Sequence, residues 1–438
     1  MALEDESSPG AAWCCGGDFG PSDRVIEVAG AVDTDGWCEP AWIGLRDGAL
    51  TGVSAKPPSD EAASLVHRPE LLVTPALINP HAHLDLTSVG PVGIDGGFDH
   101  WLETVRTRRP DSDPAIRSSI EAGLAASRAG GVVGVGDIVG ARPETALDAL
   151  GHGDLASVAF IECLGIGRRE EVGLEMVDRV RHHLASRAGG RTEVGLSPHA
   201  PYSCSSAVYE AAVASGLPVT THVAESLEEL EFCREGRGPL VSLLRRVGAI
   251  GTEDVVAGAG RHPVTQLPPS ETHPWVLAHV NLPGSTEEEE REVFAWLRTN
   301  RATVVYCPRA AAMLGHLSRA NAVHPWRRMV DRGVRVAIGT DGSPCLDRAD
   351  RISPMDDLSR VLERPEDLPR LLGMATVAGA DALGWNPDAL RFRTGCAAGV
   401  IGVAVGGRGV FEGLRRGPGR IEWLLPPNPE ALRHRGRR

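Results

Sequence analysis

Two hydrophobic patterns alternate along most of this chain. Short apolar runs that end in polar residues are followed by longer segments with one apolar face, such as "DPAIRSSIEAGLAASRAG". The first pattern is typical of buried strands and the second of amphipathic helices. The strand-like runs lie at 71–83, 130–140, 155–165, 192–203, 217–226, 274–281, 302–310 and 334–342. Eight strands alternating with helices predict an α/β fold, a (β/α)8 TIM barrel, which we place at residues 71–390.

The segments that flank this region carry only short β-like runs. "VIEVAGAV" lies within 23–70, and "GVIGVAVGG" and "RIEWLLP" lie at or near 391–425. We expect these N- and C-terminal segments to form one small β-sandwich domain. Residues 1–22 are rich in Gly, Ser and acids and are predicted to be a poorly ordered tail, and 426–438 a C-terminal tail.

One connection of the predicted barrel is long. Residues 236–273, between the fifth and sixth strands, are rich in Gly and Pro. Long connections of this kind often serve as lids or substrate walls. A purely structural insertion is the alternative, and the sequence leaves both open.

The ends of the predicted strands carry polar residues, and active sites of such barrels lie at the carboxyl ends of the strands. His81 and His83 end the first strand, and single histidines end the fifth and sixth. Residues two apart on a strand face the same side, so His81 and His83 can both point into the barrel mouth. Neutral imidazoles suit zinc or iron(II), and a third histidine with a carboxylate completes a site with room for water. The combination predicts one divalent metal ion, with zinc expected and iron(II) compatible.

Each of these residues has a simpler explanation when it is taken alone. A lone buried histidine is usually part of a core, Asp341 could cap a helix, and Glu225 could be a first-turn helix acid. The coincidence of all of them at strand ends favours the metal site. The only lysine, Lys56, precedes the barrel, so a centre bridged by a carboxylated lysine is excluded and a mononuclear site is favoured.

Charge and composition argue against some classes of binding partner. Lys and Arg number 45 against 58 Asp and Glu, a formal charge of -13. This balance argues against nucleic acid and anionic membranes, which require basic patches. The nine cysteines contain no CxxC pair, and the N-terminus, "MALEDESSPG", is not a signal peptide. We expect a cytoplasmic protein with a small-molecule substrate and no nucleic-acid or membrane partner, and a homodimer stays open.

Six motifs, in order, resemble those of the amidohydrolase superfamily. They are "PHAHLDL", "SPHAPYS", "HVAES", "AHVN", "YCPRA" and "GTDG", and the resemblance extends over 25–425. The HxxE after the fifth strand is similar to the mononuclear branch that deaminates aminated purines. "FDHWLETV" and "CPRAAAMLGH" look most like aminofutalosine deaminases, which act in the futalosine route to menaquinone biosynthesis. Deaminases of methylthioadenosine and S-adenosylhomocysteine are also similar.

The resemblance implies a role for each strand-end residue. Glu225 would be the proton shuttle, His279 would position the water or the developing anion, and His199 would contact the substrate. Asp341 would take a proton from the attacking water. The metal ligands implied are His81, His83, His222 and Asp341.

The expected activity is that of a hydrolase of carbon–nitrogen bonds other than peptide bonds. It would deaminate a purine-type nucleoside, either 6-amino-6-deoxyfutalosine or an adenosine-like compound, with release of ammonia. Hydrolysis of a cyclic amide, displacement of chloride from a triazine-like ring, and a non-enzymatic scaffold are the alternatives.

Three features leave the exact substrate open. Ala310 and Ala311 stand where the related deaminases carry Ser-Asn. Trp101 could stack on a flat ring or pack in the barrel wall. Arg309 could bind a substrate carboxylate or form a structural ion pair.

Overall fold

The computed structural model of the protein describes residues 22–58, 64–94, 97–187, 189–254, 256, 258–270, 272–407 and 409–433. The prediction of a poorly ordered tail at 1–22 concerns residues that lie, apart from Ser22, outside this set. Among the described residues, no helix is both long enough and apolar enough to cross a membrane.

The strand-like runs of the sequence form the strands of a barrel. Most of their residues are buried on both faces, as expected for a parallel sheet surrounded by helices. The eighth strand is formed by two short pieces in succession. The barrel strands are β6 (Leu77–His83), β7 (Val132–Val139), β8 (Ala156–Cys163), β9 (Thr192–Pro198), β10 (Thr220–Val223), β11 (Val276–His279), β12 (Thr303–Tyr306), β13 (Arg335–Ile338) and β14 (Asp341–Gly342).

These strands form two curved parallel sheets, one in the order β14-β6-β7-β8-β9 and one in the order β10-β11-β12-β13. A bridge between Leu196 and Val219 joins β9 to β10. At the other seam the Thr340 N–H donates to the His81 carbonyl at 3.2 Å. The predicted fold of TIM-barrel type is confirmed.

Gly339 explains how the eighth strand approaches the first. A Cβ at this position would lie 2.7 Å from Val305 Cγ1 and 3.1 Å from His81 Cβ, so any larger residue would push the strand away. The absence of a side chain at Gly339 therefore lets Asp341 lie beside the two histidines of β6.

Eleven α-helices of the described residues lie between the barrel strands. Side chains of Ser205, Ser226 and Thr286 cap α5, α6 and α8 by accepting from backbone N–H groups. The helices are α1 (Phe98–Arg108), α2 (Asp113–Ala129), α3 (Pro143–His152), α4 (Glu170–Arg179), α5 (Ser206–Ala214), α6 (Leu227–Glu235), α7 (Pro239–Arg246), α8 (Glu287–Thr299), α9 (Pro308–Met313), α10 (His316–Arg319) and α11 (Trp326–Asp331).

The flanking segments form a mixed seven-stranded sheet in the order β16-β15-β5-β1-β3-β4, with β2 paired to β1. Its described strands hydrogen-bond into one sheet, and the predicted β-sandwich stays a prediction. Its core contains apolar side chains of both termini, including Ile43, Val73 and Val400. The strands are β1 (Arg24–Asp33), β2 (Gly36–Cys38), β3 (Ala41–Arg46), β4 (Ala49–Ser54), β5 (Ser64–Pro75), β15 (Val400–Ala404) and β16 (Ile421–Leu425).

The chain divides into two compact units. One comprises the residues up to Ile78, Ala129–Val133 and those from Ser353 onward, including α12 (Pro354–Val361), α13 (Leu368–Ala375), α14 (Val377–Ala382) and α15 (Val410–Arg415). The other comprises Asn79–Arg128 and Gly134–Ile352 and contains every predicted site residue. The predicted domain bounds, with a barrel at 71–390, stay predictions.

The first barrel strand begins later than the apolar run 71–83 that contains it. Leu71–Pro75 pairs with β15 in the seven-stranded sheet, and the barrel strand begins at Leu77. The residues of 71–83 are apolar almost without a break, so the sequence alone shows one long run.

Candidate metal and active site

The strand ends bring His81, His83 and Asp341 together. Asp341 pairs in register with Ala82, the residue between the two histidines. Its Oδ1 lies 3.4 Å from His83 Nε2 and 3.8 Å from His81 Nε2. One ligand atom from each of the three residues falls within 4.8 Å of the others, close enough to share one cation.

His222, at the end of β10, joins this group from the opposite sheet. Its Nε2 lies 3.2 Å from His83 Nε2, and its Nδ1 lies 2.9 Å from the His199 carbonyl. A carbonyl only accepts, so Nδ1 carries the hydrogen and Nε2 keeps its lone pair for a metal. His81, His222 and His279 also offer ring nitrogens within 4.8 Å of one another.

The chemistry of this donor set fits a divalent metal. Among the described residues, neither ring nitrogen of His81 has a hydrogen-bond partner, although the side chain is fully buried. Unpartnered buried polar atoms are rare and call for an explanation, which a bound ion supplies. Burial, with smaller contributions from neighbouring histidines, lowers the pKa of His81 and His83 well below the ordinary value and that of His222 to about 3. The imidazoles are therefore neutral at pH 7, the form that binds metals.

Glu225 lies next to this donor set. Its Oε1 is 3.7 Å from His279 Nε2 and 3.3 Å from His316 Nε2, and its side chain is 7 % exposed. Burial alone would raise the pKa of Glu225, but His279 and His316 bring it below the ordinary value. The carboxylate is thus ionised and ready to accept a proton.

The backbone that carries these groups is strained. Ala224, His279, Val280 and Asp341 have φ values of 52°, 72°, 45° and 61°, in the left-handed region that side chains with a Cβ avoid. Such strain is common at functional sites.

Buried polar groups hold this backbone in place. The Glu229 carboxylate accepts from the Ala224 and Glu225 N–H groups at 2.8 and 2.9 Å. The Asn281 amide donates to the Glu225 carbonyl at 3.0 Å. The orientation of Glu225 is therefore fixed by its own backbone as well as by its side-chain contacts.

A cavity of about 420 Å³ opens above these groups, and most of its surface is apolar. Phe98 and Trp101 of α1 line one wall, and Leu243 and Leu244 of α7 line another. The Trp101 indole N–H donates to the Val92 carbonyl at 3.1 Å, which fixes the ring against the cavity. Of the two alternatives for 236–273, a substrate wall is favoured for the α7 part.

Comparisons with known proteins agree with this arrangement. The profile of the amidohydrolase family matches residues 72–405, more than half of the chain. The chain belongs to the amidohydrolase family. The resemblance predicted from the motifs is confirmed, as is the class of hydrolase acting on carbon–nitrogen bonds.

Two relatives of this amidohydrolase illustrate the match. The 5-methylthioadenosine/S-adenosylhomocysteine deaminase of Pyrococcus furiosus is 27% identical over 373 residues, 79% of this chain and 78% of the relative. The aminodeoxyfutalosine deaminase of Deinococcus radiodurans is 30% identical over 295 residues, 62% of this chain and 63% of the relative. Among solved structures, Helicobacter pylori aminofutalosine deaminase has a TM-score of 0.69 at 20% identity, with 92% of this chain and 98% of that chain covered, and so shares the fold.

The amidohydrolase has a second polar network at the cavity, centred on His199 and Glu162. His199 Nδ1 lies 2.7 Å from Glu162 Oε1, and His199 Nε2 lies 3.1 Å from the Tyr202 hydroxyl. Arg109 Nη1 is 3.7 Å from Glu162 Oε2, and its Nε is 3.4 Å from Asp85 Oδ2. Burial would raise the pKa of Glu162, but His199 and then Arg109 bring it below the ordinary value. His199, Glu162, Tyr202 and Arg109 all line the cavity, where they can contact a substrate.

The remaining predicted substrate residue, Arg309, is placed differently. Its side chain is 2 % exposed, it lies 3.6 Å from Asp347, and it is absent from the described cavity lining. This geometry favours the structural ion pair over the substrate contact, because the guanidinium does not reach the cavity.

Sequence reasoning missed several residues of the site. Glu162 lies at the end of the third barrel strand, and the rule that found the histidines would have found it too. Arg109 follows α1 and His316 begins α10, so neither lies at a strand end. No sequence signal of the kind used above marks those two residues.

Proposed function

We propose that this protein is a metal-dependent aminohydrolase that deaminates a purine-type nucleoside, 6-amino-6-deoxyfutalosine or an adenosine-like compound. The position of Glu225 carries the proposal. A buried carboxylate stands at an apolar cavity beside His279, which offers a ring nitrogen within 4.8 Å of those of His81 and His222.

His81, His83, His222 and Asp341 would hold the ion. When bound, a divalent metal supplies a hydroxide nucleophile at neutral pH by lowering the pKa of water to about 7. The neutral state of the three imidazoles and the unpartnered nitrogens of His81 support this assignment. Zinc is the metal that we propose, because three histidines and one carboxylate suit it.

Different residues around the ion carry out the separate proton transfers of the reaction. Asp341 accepts a proton from the attacking water. Glu225, ionised at rest, takes the other proton of the water and delivers it to the ring nitrogen next to the amino-bearing carbon, which makes that carbon electrophilic. His279 stabilises negative charge on the attacking oxygen. The proton held by Asp341 reaches the amino group, ammonia leaves, and a carbonyl remains on the ring, so one water is consumed for each ammonia released.

The cavity supports a substrate of nucleoside size. Its volume of about 420 Å³ lies within the usual range for small-molecule sites. Flat apolar walls suit a purine ring, and the polar network around His199 suits a hydroxylated substituent. The two relatives, deaminases of aminodeoxyfutalosine and of methylthioadenosine or S-adenosylhomocysteine, support the same substrate class.

The experiment is ammonia release by zinc-loaded protein from 6-amino-6-deoxyfutalosine, adenosine and methylthioadenosine. We expect turnover of at least one of them, with the purine absorbance changing in step with ammonia. Inert aminopurines together with turnover of a cyclic amide or a chlorinated triazine would replace the proposal by the alternative activity. Inert compounds throughout, with metal bound, would contradict both.

Several further points stay proposals. They are a cytoplasmic location, a role in menaquinone biosynthesis, a homodimer, a β-sandwich in the smaller unit and a barrel domain at 71–390. Besides a small-molecule substrate and a second copy of the chain, no partner is proposed.

A further inference from the structure

We propose that His316, with its tautomer fixed by Arg319, is a positioning residue that holds Glu225 for proton transfer. The proposal rests on the proposed function, since it concerns the same carboxylate. His316 lies at the start of α10, away from every strand end, and neither its ring nor Arg319 belongs to the described cavity lining.

The surroundings of His316 leave its ring one orientation. The side chain is fully buried, and the Phe98 ring meets it edge-on with ring centres 4.8 Å apart. Its Nδ1 lies 3.1 Å from Arg319 Nη2, and its Nε2 lies 3.3 Å from Glu225 Oε1. Among the described residues, Nε2 has no hydrogen bond of standard geometry to any other group, so Glu225 is its candidate acceptor.

Arg319 decides which ring nitrogen carries the hydrogen. A guanidinium has only donors and stays protonated in proteins, so the nitrogen that faces it must be the acceptor. His316 Nδ1 therefore holds the lone pair, and the hydrogen of the neutral ring is on Nε2, directed at Glu225. Arg319 is itself anchored, because its Nη1 donates to Glu228 Oε1 at 2.6 Å.

This tautomer determines what His316 can do for Glu225. An Nε2 that already carries its hydrogen cannot take the proton that Glu225 must deliver. It can only donate to the carboxylate, and it holds Oε1 in place. Proton transfer is thereby assigned to Oε2. At 3.3 Å the contact is long, and catalytic hydrogen bonds often tighten only when the substrate is bound.

Kinetics of four variants test the proposal. His316→Leu removes the donor, and we expect kcat to fall about 10- to 100-fold, the range for a hydrogen bond to a charged group, with KM little changed. His316→Gln keeps an N–H at the reach of Nε2 and should restore most of kcat. Arg319→Met should lower kcat less, and should have no further effect when combined with His316→Leu. Glu228→Ala is the matched control, because it removes the other partner of Arg319 and leaves the contact with His316.

The bound metal is measured in every variant, so that a change in kcat is counted per loaded site. An unchanged kcat in His316→Leu would overturn the proposal. Equal losses in His316→Leu and His316→Gln would also overturn it, because a role in packing alone would not be rescued by an N–H donor.

A second measurement does not depend on activity. In protein labelled with ¹⁵N-histidine, the His316 signals are identified by their loss in His316→Gln. We expect a neutral ring protonated at Nε2, an Nε2 signal that moves in Glu225→Gln, and no such movement in Glu228→Ala. A ring protonated at Nδ1 would overturn the proposal even if His316→Leu fails to fold. If the native protein releases no ammonia from any aminopurine, the proposed function fails, and the ring signals still decide the contact with Glu225.

Discussion

Two carboxylates at the barrel mouth are both buried, yet they have different neighbours. Glu162, on the five-stranded sheet, faces the permanently charged Arg109 and the His199 ring. Glu225, which follows β10 of the four-stranded sheet, lies against the imidazoles of His279 and His316. The guanidinium beside Glu162 is a fixed cation that keeps that carboxylate charged, whereas no guanidinium of the described residues pairs with Glu225. The first arrangement suits binding and stability, and the second suits proton transfer.

The largest expected effect is loss of the metal, because its proposed ligands come from both sheets. Dialysis against a chelator should abolish ammonia release, and zinc should restore it. His83→Ala should lose the metal, as measured by elemental analysis, while His152→Ala, with a side chain 77 % exposed, should keep it. A fully active His83→Ala protein would contradict the ligand assignment.

Glu225→Gln comes next in size. We expect kcat to fall about 10²- to 10⁴-fold, the usual worth of general acid–base catalysis, with bound metal unchanged. Thermal unfolding should not begin earlier than in the native protein, since the change removes a buried charge. A midpoint temperature of unfolding below that of the native protein would show that Glu225 stabilises the fold. The assignment of Glu225 to proton transfer and of Glu162 to stability would then be wrong.

Glu162→Gln should act mainly on stability. Gln keeps one carbonyl acceptor but replaces the other carboxylate oxygen by an amide donor, so Arg109 and His199 can no longer both donate to residue 162. We expect this to lower the free energy of unfolding by about 1–3 kcal/mol. The folded-state pKa of Glu162 lies below its ordinary 4.5, so its stabilisation is present above that pH and is lost as the pH falls below it. The free energies of unfolding of native and variant protein, measured by urea titration, should therefore approach each other as the pH falls. A difference in free energy of unfolding that grows as the pH falls would contradict the contact with Arg109.

The smallest effects are expected from two helix caps. Ser205→Ala and Ser226→Ala each remove a cap, and each should cost about 1 kcal/mol of unfolding free energy. Ser226 directly follows Glu225, so its variant should also lower kcat by a small factor, whereas Ser205→Ala should leave kcat unchanged. Equal kcat values for the two variants would show that the α6 cap plays no part in holding Glu225.

The barrel and its proposed metal ligands can be predicted from the sequence because both follow from a repeating rule. Each strand is marked by an apolar run, and each polar strand end lies at the same rim. His81, His83, His222 and Asp341 were found in this way, and the structure brings them together.

Residues that reach the site from helices could not be found by that rule. Arg109 and His316 meet Glu162 and Glu225 only through tertiary packing, across more than 50 positions in one case and more than 90 in the other. The start of the barrel was also hidden, since Leu71–Pro75 and β6 share one apolar pattern although they belong to different sheets. The hydrophobic pattern of the sequence shows that a segment is buried, but it does not show which elements the segment packs against.

The short helix α7 can be exchanged for other sequences without changing the proposed catalytic residues. Leu243 and Leu244 face the cavity from a connection that supplies none of the proposed ion ligands and neither partner of Glu225. Grafting other sequences between Gly238 and Val247 would alter the shape of the entrance and leave the reactive machinery as it is. A library confined to those few positions is thus a rational route to enzymes that accept differently substituted nucleosides.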